Sequence, residues 1–116
     1  MTVQNLIDSF HFTVYTKGSL LKPVTGCYIG DVLSLAMSCI QKGQIWVTVQ
    51  GNVNIAAVAA LTEPACIILA EGRKADADTL AKALENGITI LGTEESAYQT
   101  ACVLFGQGIG KENEEV

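Results

Sequence analysis

The sequence predicts an α/β fold, a three-layer sandwich in which a mainly parallel central sheet of about five strands is flanked by helices. Three observations carry that expectation, and all lie within residues 44–72. Ile45, Val47 and Val49 alternate with Trp46, Thr48 and Gln50, the period of two of a strand with two differently solvated faces. After a break at Gly51, Asn52 can cap a helix over 53–62, which contains no charged residue and is expected to be buried on more than one side. Residues 65–70 are then continuously apolar between Pro64 and Glu71-Gly72, as an interior strand of a parallel sheet should be. Strand, helix and strand within about 27 residues make a βαβ unit.

The remaining elements follow the same logic. Thr2 or Asn5 can start a first helix through Phe10, with Val3, Leu6, Ile7 and Phe10 on one side. Residues 12–16 read as a strand with Phe12 and Val14 facing one way, and His11 stands at its start. A turn at Lys17-Gly18-Ser19 and a loop over 20–23 lead into a strand over 24–29. Gly30-Asp31 opens the next helix, with Asp31 capping it or complementing its dipole, and Lys42-Gly43 closes it. That helix has two apolar faces, Leu33, Ala36, Met37 and Ile40 on one, Val32, Leu35 and Cys39 on the other, so it needs two partners. Asp76 or Asp78 begins an amphipathic helix with Leu80, Ala81 and Leu84 inward, ending at Gly87. Residues 88–91 form the last strand. Thr93 caps a final helix with Glu94 and Glu95 in its first turn and Ala97, Tyr98, Ala101, Cys102 and Phe105 as its apolar stripe.

With 116 residues the chain is long enough for one domain with its own core, expected over 1–105, followed by a flexible acidic tail over 106–116. A formal net charge of −5 argues against a nucleic-acid partner, which would require clustered Lys and Arg. There is neither a signal-peptide pattern nor an apolar span near 20 residues, so a cytoplasmic location and no membrane partner are expected. Cys27, Cys39, Cys66 and Cys102 are widely spaced within apolar patterns and read as buried reduced thiols rather than metal ligands. Hydrophobic residues at 49% against 16% charged hint at a buried subunit interface, hence a homodimer.

Catalytic motifs are sparse. GQGIGKE at 106–112 has the wrong spacing for a phosphate loop, and Glu112 stands where a magnesium-binding hydroxyl is needed. His11, the only histidine, has no serine or cysteine motif beside it, and the carboxylates cluster at helix starts and in the tail. No catalytic residue, metal or cofactor is therefore expected. The candidate ligand site is the C-terminal rim of the central strands, where helix N-termini can meet an anion. It comprises Gln50, Gly51 and Asn52, then Glu71, Gly72 and Arg73, with Thr93 nearby. Glu71 would oppose a phosphate unless Arg73 or Lys74 offsets it.

Taken together, GCYIGDVLSLAM, WVTVQGNVNIAAVAAL, ACIILAEG and GITILGTEESAYQTA resemble the DRTGG domain family over roughly residues 3–105. Aligned on its turns, the family's Asp-Arg falls at Asn52-Val53 and its Thr-Gly-Gly at Ala70-Glu71-Gly72, of which only Gly72 is retained. The resemblance implies an α/β sandwich like the N-terminal domain of HPr kinase/phosphorylase, without kinase machinery. Members fused to phosphotransacetylases and CBS-domain pyrophosphatases resemble regulatory or dimerising modules. The implied function is a non-catalytic regulatory or ligand-sensing homodimer, binding a small anionic ligand such as an adenine nucleotide. Stand-alone relatives look similar to proteins encoded near iron-only hydrogenase subunits, which implies as an alternative an accessory role beside a redox enzyme.

Overall fold

The computed structural model describes residues 1–110. Its elements run α1 (Val3–Ser9), β1 (Thr13–Thr16), β2 (Gly26–Ile29), α2 (Leu33–Cys39), β3 (Gln44–Thr48), α3 (Asn54–Thr62), β4 (Cys66–Leu69), α4 (Ala77–Glu85), β5 (Ile90–Gly92) and α5 (Ala97–Gly106). The strands form one sheet in the order β1-β5-β4-β3-β2. β2, β3, β4 and β5 are parallel, and only β1 runs against its neighbour, pairing Thr13 with Gly92. Helices cover both faces, so the three-layer, mainly parallel sandwich expected from the sequence is the observed fold. Among the described residues no helix is long and apolar enough to cross a membrane.

Each layer has its own core. On one face α2, α3 and α4 bring Ala36, Ile55, Val58, Ala59 and Ala83 onto Trp46, Ile67, Leu69 and Ile90. On the other, Val3 and Leu6 of α1 and Leu104 of α5 meet Ile45, Val47, Ile68 and Leu91. The strand expected to have one wetter face is buried on both: Ile45, Trp46, Val47 and Thr48 are all interior, because β3 lies between two strands and under helices on either side. The uncharged helix α3 packs on the sheet between α2 and α4, leaving Ala57, Ala60 and Leu61 exposed.

Several boundaries and faces differ from the sequence reading. α2 ends at Cys39 with Ile40 as its cap, two residues before Lys42-Gly43, and its second face carries exposed Val32 and Leu35. The inward residues of α4 are Thr79, Leu80 and Ala83, whereas Ala81 and Leu84 face solvent. On α5 the buried positions are Thr100 and Leu104; Tyr98, Cys102 and Phe105 are exposed. In α5 apolar residues occupy more than half the circumference and packing chose the stripe that periodicity could not, while in α4 the packed face is rotated toward Thr79 and Ala83. Gly106 closes α5 and Ile109 is buried in the sheet core, so ordered structure extends into the span expected to be tail; its remainder, 111–116, lies outside the described residues.

The cysteines need a second correction. Cys66 is buried and Cys27 partly so, but Cys39 and Cys102 are exposed on helix surfaces. Burial pushes the Cys66 thiol up to about 12, with Cys27 adding to the rise and Lys22 opposing it, and pushes Cys27 to about 11. We predict that a thiol reagent at pH 8 modifies Cys39 and Cys102 in the native protein and reaches Cys66 only after denaturation. Rapid native labelling of Cys66 would contradict the packing. The raised folded values also set a pH window. Below the ordinary value of 9.0 the thiols are protonated in both states, so their contribution is fully present there. Between pH 9 and 12 the unfolded chain ionises first, and stability falls by up to about 1.4 kcal/mol per pH unit for Cys66.

Candidate functional site

Because β3, β4 and β5 are parallel, the segments that follow them emerge at one rim. Gln50, Gly51 and Asn52 follow β3, Glu71, Gly72 and Arg73 follow β4, and Thr93 follows β5. The reversed edge strand β1 enters the sheet at the same rim, which places His11 and Phe12 beside Thr93.

The β3 side is a packed polar corner. Asn52 Oδ1 accepts the Asn54 N–H at 3.0 Å and its carbonyl accepts that of Ile55, so it supports the start of α3 as expected. Its amide donates to Gln50 Oε1 at 3.1 Å, and Gln50 Nε2 reaches the Asp31 carbonyl at 3.4 Å. Asp31 does not cap α2, whose first turn has no side-chain cap. Its Oδ1 instead accepts the Thr48 hydroxyl at 2.8 Å and the Val49 N–H at 2.9 Å, tying the end of β2 to the end of β3. Replacing Asp31 with Ala is expected to cost about 1–2 kcal/mol, since two hydrogen bonds to an ionised group are lost at a partly solvated site. Asp31→Asn, which keeps an acceptor, should recover most of it. Urea unfolding reads the difference, and an unchanged midpoint for the Ala variant would contradict the role.

Gly51 is closed off rather than open. Its carbonyl accepts the Asp76 N–H at 2.9 Å and the Thr79 hydroxyl at 2.8 Å, and a Cβ there would overlap the Lys74 carbonyl oxygen. Glu71 and Gly72 make the β4 turn with φ of 58° and 67°, the left-handed region that suits glycine at the second position and strains glutamate at the first. Their N–H groups are already committed, Glu71 to the Glu95 carbonyl at 2.8 Å and Gly72 to that of Thr93 at 2.9 Å. The Glu94 carboxylate packs over Gly72. The structure thus brings Glu71, Gly72, Arg73 and Thr93 together and leaves Gln50, Gly51 and Asn52 one strand away, across a loop that Gly51 holds down. The side chains of Arg73 and Lys74 are exposed, and no ion pair engages either among the described residues.

Thr93 is not the cap of the last helix. Ser96 is, through a reciprocal pair in which Ser96 Oγ accepts the Gln99 N–H and Gln99 reaches back to Ser96. Thr93 Oγ1 accepts the Glu95 N–H at 3.2 Å, shaping the loop before it. That loop forms one wall of a cleft of about 320 Å³. Thr93, Glu94 and Glu95 stand on one side, and Phe10, His11 and Phe12 from the α1–β1 connection on the other. Thr100 and Val103 of α5 complete it. Phe10 and Phe12 meet edge to face with centroids 5.6 Å apart, so the cleft has an aromatic side as well as an acidic one. A phosphate about 4 Å from either carboxylate would meet repulsion of about 4 kcal/mol at an effective dielectric near 20. Sequence reasoning found only Thr93 of this group as a site residue; Phe10, Phe12 and Glu94 gave no local signal, because the cleft joins segments from opposite ends of the chain. A second hollow, about 430 Å³, lies beside the outer strand β2 and is lined by Ile29, Tyr98, Cys102 and Phe105. Among the described residues no three His, Cys, Asp or Glu side chains gather as metal ligands.

No protein-family model and no curated protein sequence matches the chain. The fold, however, has a counterpart among solved structures. It is similar to the crystal structure of the CBS and DRTGG domains from the regulatory region of Clostridium perfringens pyrophosphatase, complexed with its activator diadenosine tetraphosphate. The TM-score is 0.72 at 16% identity, over 99% of this chain and 52% of that one. The chain therefore spans about half the length of that neighbour, and the likeness is one of fold.

Proposed function

We propose that the chain is a non-catalytic regulatory module that senses a small anionic ligand of the adenine-nucleotide class and works as a homodimer. The observation that carries the reading is the shared fold with a regulatory region whose activator is a dinucleoside polyphosphate. The position of the cleft supports it: an open hollow sits at the C-terminal rim of a parallel sheet, next to a turn bearing Arg73 and Lys74. Of the candidate residues, Thr93 lines this hollow, Glu71 and Gly72 are tied to its wall through backbone bonds to Glu95 and Thr93 with Arg73 next in the turn, and Gly51 holds the neighbouring loop. The dimer is supported by the second face of α2, where Leu35 is 55% exposed, and by Leu61 of α3 at 73%.

A thermal-shift panel of AMP, ADP, ATP and diadenosine tetraphosphate tests the ligand. At 100 times its Kd a true ligand should raise stability by about 2.7 kcal/mol. A panel without any shift rejects the nucleotide reading. Sedimentation velocity at micromolar concentration tests the dimer, and a purely monomeric boundary rejects that part alone.

A further inference from the structure

The electrostatics of the cleft decide which end of a nucleotide can enter it, an inference that rests on the nucleotide-sensing reading above. We infer that the cleft takes the base of an adenine nucleotide, with the phosphates outside it beside Arg73 and Lys74, the cations that offset Glu71. The polar groups that Glu94 and Glu95 contribute as side chains are acceptors only, suited to the exocyclic amine of a purine and opposed to an anion. Phe10 and Phe12 supply the apolar wall that a planar ring packs against. The volume of about 320 Å³ is at the small end for ligand sites, room for a nucleoside rather than for a whole polyphosphate. Outside, the bonds from Glu71 to Glu95 and from Gly72 to Thr93 fix the β4 turn against the cleft wall, and the exposed Arg73 and Lys74 follow in that turn. The Glu94 carboxylate, packed over Gly72, marks the border between the two regions.

Calorimetric titration of the full chain with adenosine, ADP, inorganic pyrophosphate and N6,N6-dimethyladenosine separates the alternatives. Adenosine is expected to bind, pyrophosphate to leave ADP binding unaffected, and dimethylation of the amine to weaken binding about tenfold or more. The exposed double variant Arg73→Ala/Lys74→Ala should weaken ADP about fivefold and leave adenosine unchanged. Displacement of ADP by pyrophosphate, with no binding of adenosine, would overturn the base-inward orientation while sparing the nucleotide reading. Failure of every adenine compound to bind would overturn both.

Discussion

Trp46→Ala should be the most damaging single substitution in the chain, lowering stability by about 3–5 kcal/mol. Trp46 is fully buried on the interior strand β3, where it packs with residues from α2, α3 and α4. Its indole N–H donates to the Gly30 carbonyl at 3.0 Å, so truncation empties a large volume and also leaves a backbone acceptor without its partner. Set against a total stability of about 5–15 kcal/mol for a domain, a loss of that size moves a large share of molecules toward the unfolded state. Because this is the only tryptophan, unfolding must be followed by far-ultraviolet circular dichroism in urea rather than by its fluorescence. A loss below about 1.5 kcal/mol would mean that α2, α3 and α4 are not packed on β3 as described.

Gly51→Ala is the second large effect and answers a functional question as well. The added methyl group would overlap the Lys74 carbonyl oxygen, a backbone atom that cannot rotate away, so the 74–76 segment must shift. That shift strains the bonds from Asp76 N–H and the Thr79 hydroxyl to the Gly51 carbonyl. A cost of about 1–3 kcal/mol is expected, which should lower the melting temperature by roughly 4–12 °C. If the glycine instead left room for a ligand, the alanine variant would keep its melting temperature and lose only binding. Differential scanning calorimetry without ligand distinguishes the two, and a change under about 0.5 kcal/mol would reject the structural role.

Much of the architecture could be read from the chain because its interior elements are unambiguous. The run of 65–70 can only be a strand covered on both faces, and the uncharged 53–62 can only be a helix wedged among other elements; both take those places. Ends and faces were harder. Thr93 and Ser96 are both good caps, and the deciding signal was the Gln99 that stands three residues after Ser96. Asp31 has the sequence context of a cap, but its partners lie 17 and 18 residues away on another strand, where no local pattern points. The same limit hid the cleft. A glycine after a strand looks the same in sequence whether its missing side chain admits a ligand or the backbone of a neighbouring loop, and at Gly51 it admits the latter.

The reversed outer strand has a kinetic corollary. Thr16 bonds the Ile88 carbonyl and the Ile90 N–H across more than 70 positions, so the two halves of the cleft wall meet only after a long loop has closed. Ring closure over that span costs more entropy than the local pairing of β3 with β4, and the βαβ centre should consolidate first. Pulse-labelled hydrogen exchange during refolding is expected to protect the amide of Ala70, which bonds the Thr48 carbonyl between β4 and β3, before that of Ile90; the opposite order would refute the sequence of events. A chain still on the ribosome, with β5 and α5 not yet released, would then hold its β3–α3–β4 centre but lack the Thr93–Glu95 and α5 walls of the cleft.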